Sequence, residues 1–115
     1  MTDQTTTIAQ IKRHVQDFCD VRGWRNATGE NAKNLTMALS VEVAELAEIF
    51  MWMHTDDADS VRGDPETYQH VREELADIFW YLCRLCEHLD VDLAHAIAEK
   101  TVKNAEKYPP SENIQ

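Results

Sequence analysis

Apolar residues return every three to four positions along four stretches of this chain, and no strand-like alternation survives between them. That periodicity commits the chain to helices. The first stretch runs from about Thr7 to Arg22, with Ile8, Ile11, Val15, Phe18 and Cys19 on one face, and stops near Gly23. The second runs from about Asn31 to His54 and gives way to a loop rich in Asp, Ser and Gly. The third starts where Asp64 can cap and Pro65 suits a first helical turn, and its stripe is Val71, Leu75, Ile78, Leu82, Cys86 and Leu89. The fourth follows a cap at Asp90 or Asp92 and ends at Tyr108, because Pro109 and Pro110 cannot continue it. The expected fold is all-α: one domain over 1–115, with a helical core at about 7–108, polar tails at both ends and a four-helix-bundle-type protomer.

With 21 acidic against 11 basic residues the formal net charge is −10, which argues against a nucleic-acid partner. No apolar run approaches the roughly 18 residues of a membrane span. The start, "MTDQTTT", lacks the basic-then-apolar layout of a secretory signal, so a cytoplasmic location is expected. An acidic surplus has two readings, a solvated surface or acids gathered for metal ions. Cys83 and Cys86 spell C-x-x-C, but between Leu82, Leu85 and Leu89 in mid-helix. A redox pair uses a helix N-terminus to lower its thiol pKa, and structural zinc takes four ligands. These two and Cys19 are read as small buried side chains.

The acids can be placed by helical angle. In "VEVAELAEIFMWM", with Leu39 as zero, Leu35, Val43, Leu46, Phe50 and Met53 lie within roughly 40°. Glu42 falls about 60° to one side, Glu45 about 120°, and Glu48 about 180°, toward water. On the third helix Glu74, Asp77 and Tyr81 share one ridge, while Glu73 points into solvent. The segments "ELAEIFMW" and "ELADIFWY" echo one another, which two helices meeting the same packing demand would explain. Buried carboxylates cost several kcal/mol each if unpaired, and "VEVAELAEIF" offers no Lys or Arg. Glu42, Glu45, Glu74 and Asp77 together suit Mg²⁺, which prefers oxygen ligands, with Mn²⁺ as a substitute. A di-iron site would need Glu-x-x-His, and none of the five histidines follows a Glu at that spacing.

Trp52 follows Glu45 by seven residues and Tyr81 follows Asp77 by four, while Trp24 lies in the turn "RGWRN". Such rings suit base stacking or ordinary packing, and Trp80, on another face, suits oligomer packing. On the fourth helix Lys100 and Asn104 are one turn apart, with Tyr108 a turn further and Lys103 and Lys107 in a second row. Lysines there serve the helix dipole or hold a phosphate. Lys33 and Asn34 form a weaker pair of the same kind.

Taken in order, E-x-x-E at Glu42 and Glu45, E-x-x-D at Glu74 and Asp77, "RGW", "KNLTMALSVEVAELAEIFMW", "EELADIFWYL", "VDLAHAI" and "EKTVKNAEKYP" resemble the MazG-like all-α nucleoside triphosphate pyrophosphohydrolases. They are most similar to the short dCTP pyrophosphatase branch. The resemblance implies Mg²⁺-dependent hydrolysis of dCTP or a related dNTP to the monophosphate and pyrophosphate, as nucleotide house-cleaning. It implies metal ligands at Glu42, Glu45, Glu74 and Asp77, and base contacts at Trp24, Trp52 and Tyr81. Lys100 and Asn104 fall on the phosphate side, with Asn34 and Tyr108 in support. It also implies a homodimer or a tetramer built from dimers. Within it, Glu45 orients or deprotonates the attacking water, beside Glu42, and Lys100 takes up negative charge. Val15 stands where a polar pocket residue is common, with His14 one step off register, and Met53 where a Lys is often found. Base choice is therefore open, a dUTPase-like or modified-nucleotide pyrophosphatase being the alternative. A non-catalytic helical interaction module is the reading from a different class.

Overall fold

The computed structural model of the protein describes residues 1–24 and 30–111. Its elements are α1 (Ile8–Asp20), α2 (Ala32–Phe50), α3 (Thr55–Asp59), a 3-10 turn (Val61–Gly63), α4 (Pro65–Leu89) and α5 (Leu93–Lys107), with no strand among the described residues. No helix among them is long and apolar enough to cross a membrane.

The caps explain the boundaries. Thr7 and Gln10 close a capping box at the start of α1: the Thr7 hydroxyl accepts from the Gln10 N–H at 3.1 Å, and Gln10 Oε1 accepts from the Thr7 N–H at 2.8 Å. Beyond α1 the chain turns through Gly23 at φ 68°, a conformation side chains disfavour. Asn31 accepts the Asn34 N–H at 2.9 Å to open α2. The two aspartates after α4 divide the work. Asp90, left-handed at φ 54°, closes α4 by donating its N–H to the Cys86 and Glu87 carbonyls. Asp92 opens α5 by accepting the His95 N–H at 3.0 Å.

Two expectations need correction. The second helix stops at Phe50, not His54. Met51–Met53 form a turn, and a short α3 follows, with Asp56 and Asp57 at the favourable end of its dipole. The protomer is also not a closed four-helix bundle. The helix α4 packs along α2 and against α1, whereas α5 makes no comparable contact and leaves Ile97 and Val102 more than half exposed. The radius of gyration is 17.5 Å, against about 13 Å for a compact chain of this size.

The core joins Val15 and Cys19 of α1 to Cys83 of α4, with Ile11, Phe79 and Trp80 packed around them. All three cysteines are free and buried, and burial pushes the Cys83 thiol up to about 11. The expected stripe on α4 was centred wrongly. Leu75 is half exposed, and Val71, Glu74, Cys83 and Cys86 are the buried positions. The reason is that α4 serves two neighbours: Glu74 meets α2 near Glu42, while Cys83 meets α1. One wheel averaged over 25 residues blurs the two faces.

Because Cys83 acts only as a small apolar filler, Cys83→Ser should cost about 1–3 kcal/mol through its buried hydroxyl, and Cys83→Ala clearly less, as read from urea denaturation.

Candidate active site

Glu42 lies on α2 in line with Leu35, Leu39, Leu46 and Ile49, the positions that turn inward along the helix. It therefore stands within the contact with α4, closer to its centre than the expected border. Glu45, one turn on, is exposed, and Glu48 faces water as expected. Across the contact Glu74 is 8% exposed. One carboxylate oxygen from each of Glu42, Glu45 and Glu74 falls within 4.8 Å of the others. Asp77 is not in this group. It is exposed and borders a cleft beside Glu42.

The cluster is short of partners. Oε2 of Glu42 and Oε2 of Glu74 are buried without a hydrogen bond. Oε1 of Glu74 meets Nε2 of His70 at 3.4 Å, with the imidazole largely in solvent. Among the described residues no Lys or Arg pairs with any of the three acids. Glu42 carries the consequence: its pKa rises from 4.5 to about 7. Burial is the largest cause, followed by hydrogen bonding to Glu74, the Glu45 charge and hydrogen bond, and the Asp77 charge.

Two depressions meet at the acids. One, of ≈ 410 Å³, is bordered by Glu42, Asp77, Trp24, Tyr81, Phe18 and Trp80, with Arg84 on the same lining. Phe18 organises its rings, standing edge-on to Trp24 at 5.6 Å and to Trp80 at 5.1 Å between centroids. The other, of ≈ 560 Å³, runs past Glu45, Glu48, Glu74 and His70. A flat apolar group and a polar, cation-bound group could thus sit on either side of the cluster.

Of the expected residues, Trp24 and Tyr81 reach the aromatic cleft. Trp52 is 87% exposed and borders neither depression. Lys100, Asn104 and Tyr108 ride on α5 and also border neither, and Asn34 sits at the start of α2, apart from both. Trp80 is a correction: it packs on Phe18 and edge-on to His14 and lines the cleft. Phe18, Arg84 and Glu30 were missed. Arg84 had a signal, for it continues the Asp77–Tyr81 ridge by one more turn. Glu30 lies outside every periodic segment and had none.

The raised Glu42 pKa fixes a pH dependence. Its folded value lies above the ordinary 4.5, so the native state keeps the proton longer. Without a cation, stability is full below pH 4.5, falls as pH rises toward about 7, and is flat above. Glu42→Gln should abolish that fall. At pH 8 without divalent cations it should melt higher than the parent, by about 1 kcal/mol once solvent screening at this half-buried position is allowed for. At pH 4.5 the two should melt alike.

The sequence profile of the MazG-like family matches residues 37–115. The dCTP pyrophosphatase 1 of Homo sapiens is 36% identical over 104 residues, covering 90% of this chain and 59% of that protein. The Rattus norvegicus protein of the same name is 33% identical over 103 residues with the same coverage. The chain thus spans 59% of the length of these relatives. A crystal structure of a pyrophosphatase from Archaeoglobus fulgidus matches with a TM-score of 0.78 and 31% identity, over 96% of this chain and 99% of that one. With acids from α2 and α4 meeting between packed helices, and with likeness in both sequence and fold, the chain belongs to the MazG-like family.

Proposed function

We propose that the protein hydrolyses the α–β phosphoanhydride of a (deoxy)nucleoside triphosphate, dCTP or a close relative, to the monophosphate and pyrophosphate. The observation that carries this reading is the carboxylate cluster with two orphaned oxygens, set against an aromatic cleft. The donor set is all oxygen and has no basic partner among the described residues, which fits a hard divalent cation such as Mg²⁺, or Mn²⁺ in its place. Glu42, Glu45 and Glu74 would hold it, with Asp77 the fourth acid assigned to the site. When bound, the cation supplies Lewis acidity and neutralises triphosphate charge.

The chain's own residues do the rest. Glu45, the most open acid of the cluster, is placed to take a proton from the attacking water. Trp24 and Tyr81, with Phe18 and Trp80, offer faces on which a base stacks, an interaction worth about 1–3 kcal/mol per ring. Burial of the acids beside low-dielectric walls strengthens their hold on charge. The projecting α5, with Ile97 and Val102 exposed, supports assembly into a homodimer or tetramer. In such an assembly Lys100, Asn104, Tyr108 and Trp52 would complete the site of a neighbouring copy, Lys100 taking up phosphate charge.

The test is pyrophosphate release from all natural dNTPs and NTPs, with and without Mg²⁺. Cation-dependent release is expected, greatest with dCTP; no release from any nucleotide would remove the reading. Glu45→Gln should lower the rate by about 100-fold or more, whereas Glu48→Gln, beside the depression but outside the acid cluster, should lower it far less.

A further inference from the structure

Among the described residues, Arg84 is the one cation lining the aromatic cleft. It stands three residues after Tyr81 and seven after Asp77, on the same ridge of α4. Its side chain is 14% exposed, and its guanidinium lies 5.6 Å from the centroid of the Tyr81 ring. Glu30, just ahead of α2, holds it: Nη2 donates toward Oε1 at 3.0 Å, and the Glu30 side chain is 11% exposed. Glu30 and Arg84 together border a separate cavity of ≈ 80 Å³, lined also by Lys12, Val15, Gln16, Cys19 and Cys83.

The pair is only half satisfied. Nε of Arg84 and Oε2 of Glu30 are both buried without a hydrogen bond. Stability does not explain it, because an apolar pair in such a place is commonly as stable or more so. A role in holding the guanidinium at the cleft would explain it.

We propose that Arg84, oriented by Glu30, reads the hydrogen-bonding edge of the base and selects cytosine over the other pyrimidines. This rests on the nucleotide reading above. A guanidinium offers donors and no acceptor, in a planar fork. Cytosine presents O2 and N3 as adjacent acceptors, matched to that fork, and Glu30, which borders the neighbouring cavity and not the cleft, fixes the direction of the fork. Uracil and thymine carry N3–H between two carbonyls, which sets N–H against N–H. Adenine has one acceptor beside its amino group and leaves half the fork idle. Selection therefore needs the planar fork together with the anion, and a lysine in its place keeps only the charge.

The experiment compares kcat/KM for dCTP, dUTP and dTTP with Mg²⁺ in the parent, Arg84→Met, Arg84→Lys and Glu30→Gln. The parent should favour dCTP, and both Arg84 variants should lose about 10–100-fold on dCTP with far smaller changes on dUTP and dTTP. Glu30→Gln, which loosens the hold on the guanidinium, should lower the preference for dCTP in the same direction and by less. Arg84→Lys preserves the charge and side-chain bulk, so it decides the matter if Arg84→Met does not fold. A parent indifferent among the three, or Arg84 variants that slow all three equally, would overturn the assignment. A parent that releases pyrophosphate from no nucleotide would instead remove the functional reading beneath it.

Discussion

Carboxylates crowded into the contact between α2 and α4 are the constraint around which the rest of the protein is arranged. A helix pair of this kind would ordinarily bury leucine at the position of Glu42 and at that of Glu74. Each acid there gives up hydration and meets another acid. The protein answers by keeping a proton on Glu42 near neutrality. In the proposed site a divalent cation would answer the same repulsion more completely. On that proposal, function and stability are set against each other at one residue.

The surroundings are consistent with that role. The acids sit where two depressions meet, one ringed by aromatic side chains and one polar. Edge-on packing of Phe18 against Trp24 and Trp80 shapes the first. Capping fixes the lengths of the helices that carry these groups, so the ridge Asp77–Tyr81–Arg84 points one way along α4. The helix α5 stands apart from this assembly within the chain, with basic residues and an uncovered apolar face, which is why the proposed site draws on a neighbouring copy.

Much of this was legible in the sequence, and the failures have physical causes. The helical class followed from period alone, and the residues of the acid cluster from angle plus the lack of basic neighbours. Glu74 was read on a ridge with Asp77 and Tyr81, apart from the stripe through Leu75, whereas burial on that helix changes sides between α2 and α1. Met51–Met53 looked helical because they are apolar, but the chain turns there. Trp80 and Tyr81 are adjacent in sequence and were assigned to different faces, yet rings are long enough to reach one cleft from neighbouring positions. Periodicity also says nothing about which chain a helix packs on, so α5 read as a fourth wall. Glu30 pairs with Arg84 across a long stretch of chain, a contact that no local pattern encodes.

The central claim is that the acid cluster is a divalent-cation site that displaces a proton from Glu42. Calorimetric titration of the metal-free protein with Mg²⁺, without nucleotide and in two buffers of different ionisation enthalpy, measures both binding and proton release. The expected result is binding with about one proton released per site below pH 7, falling toward none well above it. Absence of binding, or binding whose proton release does not change across that range, would contradict the claim.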